Sequence, residues 1–275
     1  MQREDPSVQV AVDTETGQTL LKGMGELHLD TVRHRLVHDF KIEAELGKMR
    51  VSYRETVSDA AENTFVYSNA ALVAASGGKP AWASLTISIE PDEGLAGKNV
   101  VELAAPPLPS PAGPVPMPKE FVAAVEAGLR DSLSRGAVLG YTVINTRVRV
   151  IGWNQNADST ANAFRTCAAR CLLAAMREAG PTLLEPIMHA DIEFDTEYTN
   201  GVLSELSGRR RAMIQSSTPA HNKTVVLADV PLAEMIGYAS HLRSTTQGTG
   251  SFTMELARYS HVPPALQANL VANPP

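Results

Sequence analysis

Val8, Val10 and Val12 recur at every second position, the period of a strand with one apolar face. Thr14-Glu15-Thr16-Gly17 supplies turn chemistry, and Thr19 to Leu21 begins a return strand. After Gly23-Met24-Gly25 the period changes. Leu29, Val32, Leu36 and Phe40 form one apolar stripe, which predicts a helix from Glu26 to Phe40. Ile42, Ala44 and Leu46 predict a closing strand. This is most of a split βαβ unit, with the strand and helix that should precede Val8 missing from the sequence. On that reading the first domain is cut inside its first helix and its sheet keeps an open edge.

The stretch from Ala60 to Ala75 is rich in Ala, Ser and Asn with weak periodicity. Leu85, Ile87 and Ile89 then alternate in a strand that Pro91-Asp92-Glu93-Gly94 ends. Prolines 106, 107, 109, 111, 114, 116 and 118 predict an extended or disordered loop. Phe121, Val125 and Leu129 mark a helix over Lys119 to Ser134. Ile144, Val148 and Val150 mark a strand whose other face carries Asn145, Arg147 and Arg149. Asp158 or Ser159 is the expected cap of a second helix, with Phe164, Cys167, Cys171 and Ala175 facing inward and Gly180-Pro181 ending it.

From about residue 184 the split βαβ pattern repeats in full. Met188, Ala190, Ile192 and Phe194 alternate, and a helix over Asn200 to Arg209 follows. Met213 to Ser216 and Val225 to Leu227 read as strands. Pro231 is expected to open a helix through Leu232, Met235, Ile236, Ala239 and Leu242, and Phe252, Met254 and Leu256 to close the sheet. The tail beyond Pro263 is expected to be loose.

Composition narrows the function classes. Of the 275 residues, 44% are apolar and 20% charged, as in a globular protein, and no apolar run is long enough to span a membrane. Met1 to Pro6 has no apolar segment, so any targeting segment is expected upstream. The net charge of −6 opposes nucleic-acid binding by bulk electrostatics and leaves room for local contacts. The two cysteines, one helical turn apart, fit a reduced compartment rather than a disulfide framework.

Several long motifs occur in order: Gln2-Arg3-Glu4-Asp5-Pro6-Ser7, Gly23-Met24-Gly25-Glu26-Leu27-His28-Leu29, Tyr53-Arg54-Glu55-Thr56, Leu183-Leu184-Glu185-Pro186, Val230-Pro231-Leu232-Ala233-Glu234-Met235-Ile236-Gly237-Tyr238, Leu242-Arg243-Ser244 and Gly250-Ser251-Phe252-Thr253-Met254-Glu255. Their order resembles the third to fifth domains of elongation factor G. The resemblance implies an α+β chain. Two ferredoxin-like split βαβ domains, 1–56 (truncated) and 184–262, flank an α/β domain at 57–183 like ribosomal protein S5, with a left-handed βαβ. Residues 263–275 remain as a tail. It further implies the ribosome-binding part of a translational GTPase, whose partners are the ribosomal A-site region and the parent's own G domain. GTP and magnesium would belong to that G domain, and no Gly-x-x-x-x-Gly-Lys-Ser/Thr loop occurs in this sequence.

In the family, the middle domain meets the decoding region through two tip loops. The first usually reads Gly-Gly-x-Gly-Gln-Tyr; here it is Gly77-Gly78-Lys79-Pro80-Ala81-Trp82. The second usually reads His-Pro-Val-Asp-Ser-Ser; here Gln155-Asn156-Ala157-Asp158-Ser159-Thr160 aligns, so Gln155 replaces the histidine. Gly77, Gly78, Lys79, Trp82, Asn154, Gln155, Asn156 and Asp158 are thus the expected RNA-binding tip. The segment Thr166-Cys167-Ala168-Ala169-Arg170-Cys171 resembles the second mitochondrial form of the factor, which splits ribosomes after termination with ribosome recycling factor. The expected setting is therefore the mitochondrial matrix, with a bacterial cytoplasm as the alternative. A conventional translocase and a stand-alone interaction module without GTPase activity are the competing functions.

Other candidates carry two readings each. Arg209, Arg210 and Arg211 are either an rRNA contact or a solvated helix end whose charge suits the helix dipole. Arg147 and Arg149 offer a backbone-contacting face or an ordinary sheet face. Lys79 and Trp82 pair a phosphate contact with base stacking, unless Trp82 starts the core; its phase against Leu85 favours exposure. His28, His34 and His38 suggest a metal only with further ligands, and a solvated helix face is the simpler reading. Cys167 and Cys171 read as small core hydrophobes rather than ligands or redox thiols. Ser216, Ser217 and His221 read as loop residues. No catalytic constellation and no metal site is expected.

Overall fold

The computed structural model describes residues 9–12, 19–22, 26–41, 51–104, 106, 108 and 115–274. The turn at 14–17, the Gly23 to Gly25 break, the strand at 42–46 and most of the proline-rich loop lie outside the described residues. The chain divides into two compact units, Met1–Val51 with Pro186–Arg258, and Ser52–Glu185 with Tyr259–Pro275.

In the first region β1 (Gln9–Val12) and β2 (Thr19–Lys22) form an antiparallel hairpin with Val12 opposite Thr19. Helix α1 (Glu26–His38) buries Val32 and half-buries Leu36, while Phe40, expected within it, lies beyond its end and is exposed. The rings of His34 and His38 lie 4.2 Å apart, tilted by 32°, on its exposed side.

The second unit begins with β3 (Arg54–Val57). The weakly periodic stretch after it is a strand and a helix, β4 (Ala61–Ser68) and α2 (Ala70–Ser76). The polar Asn63 among the inward residues Ala61, Phe65 and Tyr67 obscures the alternation there. Strand β5 (Trp82–Pro91), β6 (Asn99–Glu102), α3 (Lys119–Leu133), β7 (Thr146–Asn154) and α4 (Ala161–Glu178) complete a sheet of order β4-β5-β7-β6. Strands β6 and β7 are parallel and joined through α3; the other pairs are antiparallel. Ala83, Leu85, Ile87 and Ile89 are fully buried against Phe121, Val125 and Leu129 of α3 and Phe164, Cys167 and Cys171 of α4. Each such large side chain contributes about 1.5–3 kcal/mol by leaving water. The cap of α4 is Thr160, not Asp158 or Ser159; its hydroxyl accepts from the Ala163 amide at 3.2 Å.

Tyr53 to Thr56 does not simply close the first region. Strand β3 pairs with the start of β8 (Pro181–Asp195), Arg54 opposite Leu184 and Val57 opposite Pro181. The carboxylate of Glu55, 1% exposed, accepts the amides of Val138, Leu139, Gly140 and Tyr141 at 2.8, 2.9, 2.8 and 3.0 Å. Glu55 also bonds through its backbone to Thr142 and Ile144, so β3 holds the whole turn that feeds β7.

In the other unit β8 continues from Ile187 to Asp195 against β10, and α5 (Thr199–Arg209), β9 (Met213–Ala220), β10 (Lys223–Pro231), α6 (Leu232–Met235), α7 (Tyr238–Thr245) and β11 (Ser251–His261) follow, in sheet order β11-β8-β10-β9. This is the split βαβ arrangement expected. Ser216 and Ser217 lie on β9 rather than in a loop, while His221 sits at the turn with a φ of 58°. The expected helix over 231–242 is two helices. Pro231 ends β10, Ile236 is extended, and Gly237 has a φ of 75°, the left-handed conformation glycine tolerates best. Of the expected apolar face of β11 only Phe252 joins the core; Met254 and Leu256 are exposed on this edge strand. The tail is ordered as α8 (Pro264–Ala272), in the same unit as Leu183, where the Gln267 side chain accepts from the Thr182 hydroxyl at 3.0 Å.

Helices α3 and α4 approach so closely at Gly128 that an added Cβ would lie 2.3 Å from the Arg165 carbonyl oxygen. That neighbour is backbone and cannot rotate away. Gly128→Ala is expected to cost about 1–3 kcal/mol of stability through overpacking, against the small gain alanine gives an ordinary helix position. Urea unfolding of the two proteins measures it.

Candidate nucleic-acid interface

The two expected tip loops meet at one end of the β4-β5-β7 sheet. Strand β4 ends at Ser68, and Asn69 then ties the first loop together. Its Oδ1 accepts the Ala81 amide at 2.6 Å, its Nδ2 donates to the Lys79 carbonyl at 3.4 Å, and its own amide donates to the Ala81 carbonyl at 3.2 Å. Helix α2 ends on Gly77 and Gly78, with φ of 76° and 126°, so the turn toward Lys79 needs backbone conformations that favour glycine. The Trp82 amide donates to the Asp158 carbonyl at 3.1 Å, and Trp82 bridges Ser159 in parallel, which joins the first loop to the second.

The second loop folds on itself. Asn154 leaves β7 opposite Ser84, and its Oδ1 accepts the Gln155 amide at 2.9 Å. Asn156 accepts the Asp158 amide at 2.9 Å, and Ser159 Oγ accepts the Asn156 amide at 2.9 Å. The side chains of Asn154 and Asn156 therefore hold the loop. Those of Lys79, Gln155 and Asp158 make no hydrogen bond or ion pair among the described residues, and Lys79 and Asp158 are exposed. Of these tip groups Lys79 is the free cation, on a backbone that Asn69 ties down, and an unengaged charge is what a phosphate contact needs.

The two tryptophans have separate fates. Trp153 is 6% exposed, packs 6.3 Å from the Phe164 ring and donates its Nε1 to the Pro106 carbonyl at 3.0 Å. Trp82 lies on the opposite sheet face, out of phase with the core as its position predicts, and is half-buried.

The other basic candidates divide. Arg147 pairs with Asp92 at 2.9 Å and Glu102 at 2.5 Å, and these carboxylates raise its pKa; Arg149 pairs with Glu90 and, at 3.3 Å, with Glu102. This face is neutralised internally, as an ordinary sheet face. Arg210 is bonded to Glu205 at 2.6 Å and to the Glu234 carbonyl, and lies 4.6 Å over the Tyr238 ring. Arg211 binds Glu234 at 2.9 Å. Arg209 is exposed.

Cys167 and Cys171 are fully buried, and burial pushes their thiols up to about 11 and about 12. They are packing residues, not nucleophiles. Among the described residues no group of three or more His, Cys, Asp or Glu is arranged to hold a metal. None of the described helices is long and apolar enough to cross a membrane.

Sequence reasoning missed the role of Asn69, whose one signal was an amide residue between a strand and an alanine-rich helix. It also missed Asp229, 5% exposed, which accepts from His189 at 3.0 Å, Gln215 at 2.8 Å and Arg258 at 2.5 Å. Burial alone would raise that carboxyl, but the bonds from His189 and Arg258 outweigh it and lower its pKa.

Comparison with known proteins places these units. Residues 1–48 match Elongation Factor G domain III, residues 49–180 match Elongation factor G domain IV, and residues 182–270 match the Elongation factor G C-terminus. A crystal structure of a protein from Thermus thermophilus is similar over 98% of this chain, with 31% sequence identity and a TM-score of 0.80. The chain spans 38% of that protein's length.

The Asn69 tie has a direct measure. Asn69→Ala removes the acceptor of the Ala81 amide and is expected to cost about 1–2 kcal/mol in urea unfolding. Amide exchange at Ala81 should quicken more than exchange at Leu85 in the sheet.

Proposed function

Since the chain belongs to the elongation factor G family and is built of its domains III and IV and its C-terminal domain, we propose that it is the ribosome-binding part of a translational GTPase and that this factor recycles ribosomes. The observation that carries the reading is the joined tip of domain IV, where two loops tied by backbone hydrogen bonds present Lys79 and Gln155, whose side chains have no partner among the described residues. A rigid tip contacts RNA without the entropic cost of ordering a loop on binding.

Recycling is favoured over translocation by the residues at that tip. Pro80 and Ala81 stand where a translocase usually has Gly and Gln, and Gln155 stands where it has His. The Ala81 amide, moreover, is engaged by Asn69 at 2.6 Å. The resemblance of the Thr166 to Cys171 segment to the second mitochondrial form supports ribosome recycling factor as partner and the mitochondrial matrix as setting. On this reading GTP and magnesium would bind a G domain of the intact factor, as the family resemblance implies.

Two assays test the reading. Co-sedimentation of the chain with ribosomes should show binding that Lys79→Ala weakens, with the slope of log affinity against log salt falling by about one. The intact factor, with recycling factor and GTP, should convert post-termination ribosomes to subunits on a sucrose gradient and move no messenger in a toeprint. One-codon movement by the unmutated factor would assign translocation instead, and Gln155→His should then raise its rate. A chain that leaves ribosomes untouched at low salt would overturn both.

A further inference from the structure

Helix α1 carries its apolar stripe through Val32 and Leu36, and its polar side holds His34 and His38. The two histidines are four positions apart, so their side chains leave the helix one above the other. Both are exposed, and their ring centroids lie 4.2 Å apart with the planes tilted by 32°. Neither ring makes a hydrogen bond or ion pair among the described residues. Asp39, next along the chain, is engaged by Arg35 at 3.8 Å. Spacing alone makes this pair a solvated helix face; the ring-to-ring distance gives it a second reading.

Each neutral imidazole offers one lone pair. Two nitrogens bound to a common ion stand roughly 3–3.4 Å apart, a span that these rings reach by side-chain rotation alone. Among the described residues no third His, Cys, Asp or Glu completes a cluster, so water fills the rest of the coordination shell. That selects the metal. Magnesium and calcium seek oxygen ligands and gain little from imidazole. Copper(II), nickel(II) and zinc(II) do gain, and copper(II) gains most. The place on the helix adds to this. His38 is the last residue of α1, where the unpaired carbonyls leave a partial negative charge that favours a cation. We propose that His34 and His38 form a two-point site on α1 for a divalent transition cation, copper(II) before nickel(II) and zinc(II), with the remaining positions filled by water. The bound ion bridges one helical turn and pins the end of α1. The site is independent of the ribosome reading.

The test uses the whole chain without added histidines, with copper(II) and zinc(II) as probes. Isothermal titration with copper(II) should show a first equivalent that is lost in His34→Ala and in His38→Ala alike, because one imidazole cannot chelate. Electron paramagnetic resonance of the one-equivalent copper(II) form should show two nitrogens in the metal plane. On adding zinc(II), the ring signals of His34 and His38 should move together in proton NMR, ahead of the other five of the seven histidines. Magnesium at the same concentration should move neither. Zinc(II) should also slow amide exchange at the end of α1 in the unmutated chain and not in the double variant. Both side chains are exposed, so the circular dichroism of the metal-free variants should match the unmutated chain; His34→Gln is the milder variant if His34→Ala does not fold. Equal copper(II) affinity in the double variant, or zinc(II) shifts confined to other histidines, would overturn the site. Loss in one single variant and not the other would overturn it too, since that describes a lone imidazole.

Discussion

The carboxylate of Glu55 is the constraint on which the middle of the molecule depends. It is buried at 1% exposure, and four consecutive backbone amides, Val138 to Tyr141, converge on its two oxygens. A buried charge without such donors would cost several kcal/mol. With them, a turn that has no regular structure of its own becomes a fixed support. Gly136 is part of the same device, since a Cβ there would lie 2.1 Å from Glu55 Oε2. From that turn the chain enters β7, and β7 runs the length of the sheet to Asn154 at the tip. Strand β3, which carries Glu55, pairs with β8 on its other side.

At the far end of β7 the same economy of hydrogen bonding is repeated with neutral groups. Asn69 closes one loop, Asn156 and Ser159 close the other, and the Trp82 amide joins them. The charges follow a matching division. Arg147, Arg149, Arg210 and Arg211 are engaged by carboxylates of the same chain, whereas Lys79 and Arg209 have no such partner among the described residues. A net charge of −6 is therefore compatible with the proposed RNA partner. On that reading attraction would come from a few placed cations rather than from the field of the whole surface.

Much of this was legible in the sequence because strong periodicity and deep burial coincide. The alternation through Leu85, Ile87 and Ile89 and the stripe through Phe164, Cys167 and Cys171 describe fully buried faces, and the structure places them there. Where the pattern misled, a competing local effect is visible. Asn63 hides an edge strand, Gly237 divides a helix whose apolar spacing continues across the break, and Met254 and Leu256 keep a strand's period on an edge where they stay exposed. The α8 helix was missed because its neighbours Thr182 and Leu183 are distant in sequence. The candidate tip residues come from motif order alone. Which of them are engaged and which are free depends on hydrogen bonds between loops separated by some seventy positions, for example Trp82 with Asp158, and no periodicity carries that information.

Native-state amide exchange of Val138, Leu139, Gly140 and Tyr141 tests the central claim most directly. If a buried carboxylate binds these amides, they should exchange only on global unfolding, as slowly as Leu85 in the central strand β5. Glu55→Gln, which turns one acceptor oxygen into a donor, should release them. Exchange at the rate of an open surface turn in the unmutated chain would contradict the account.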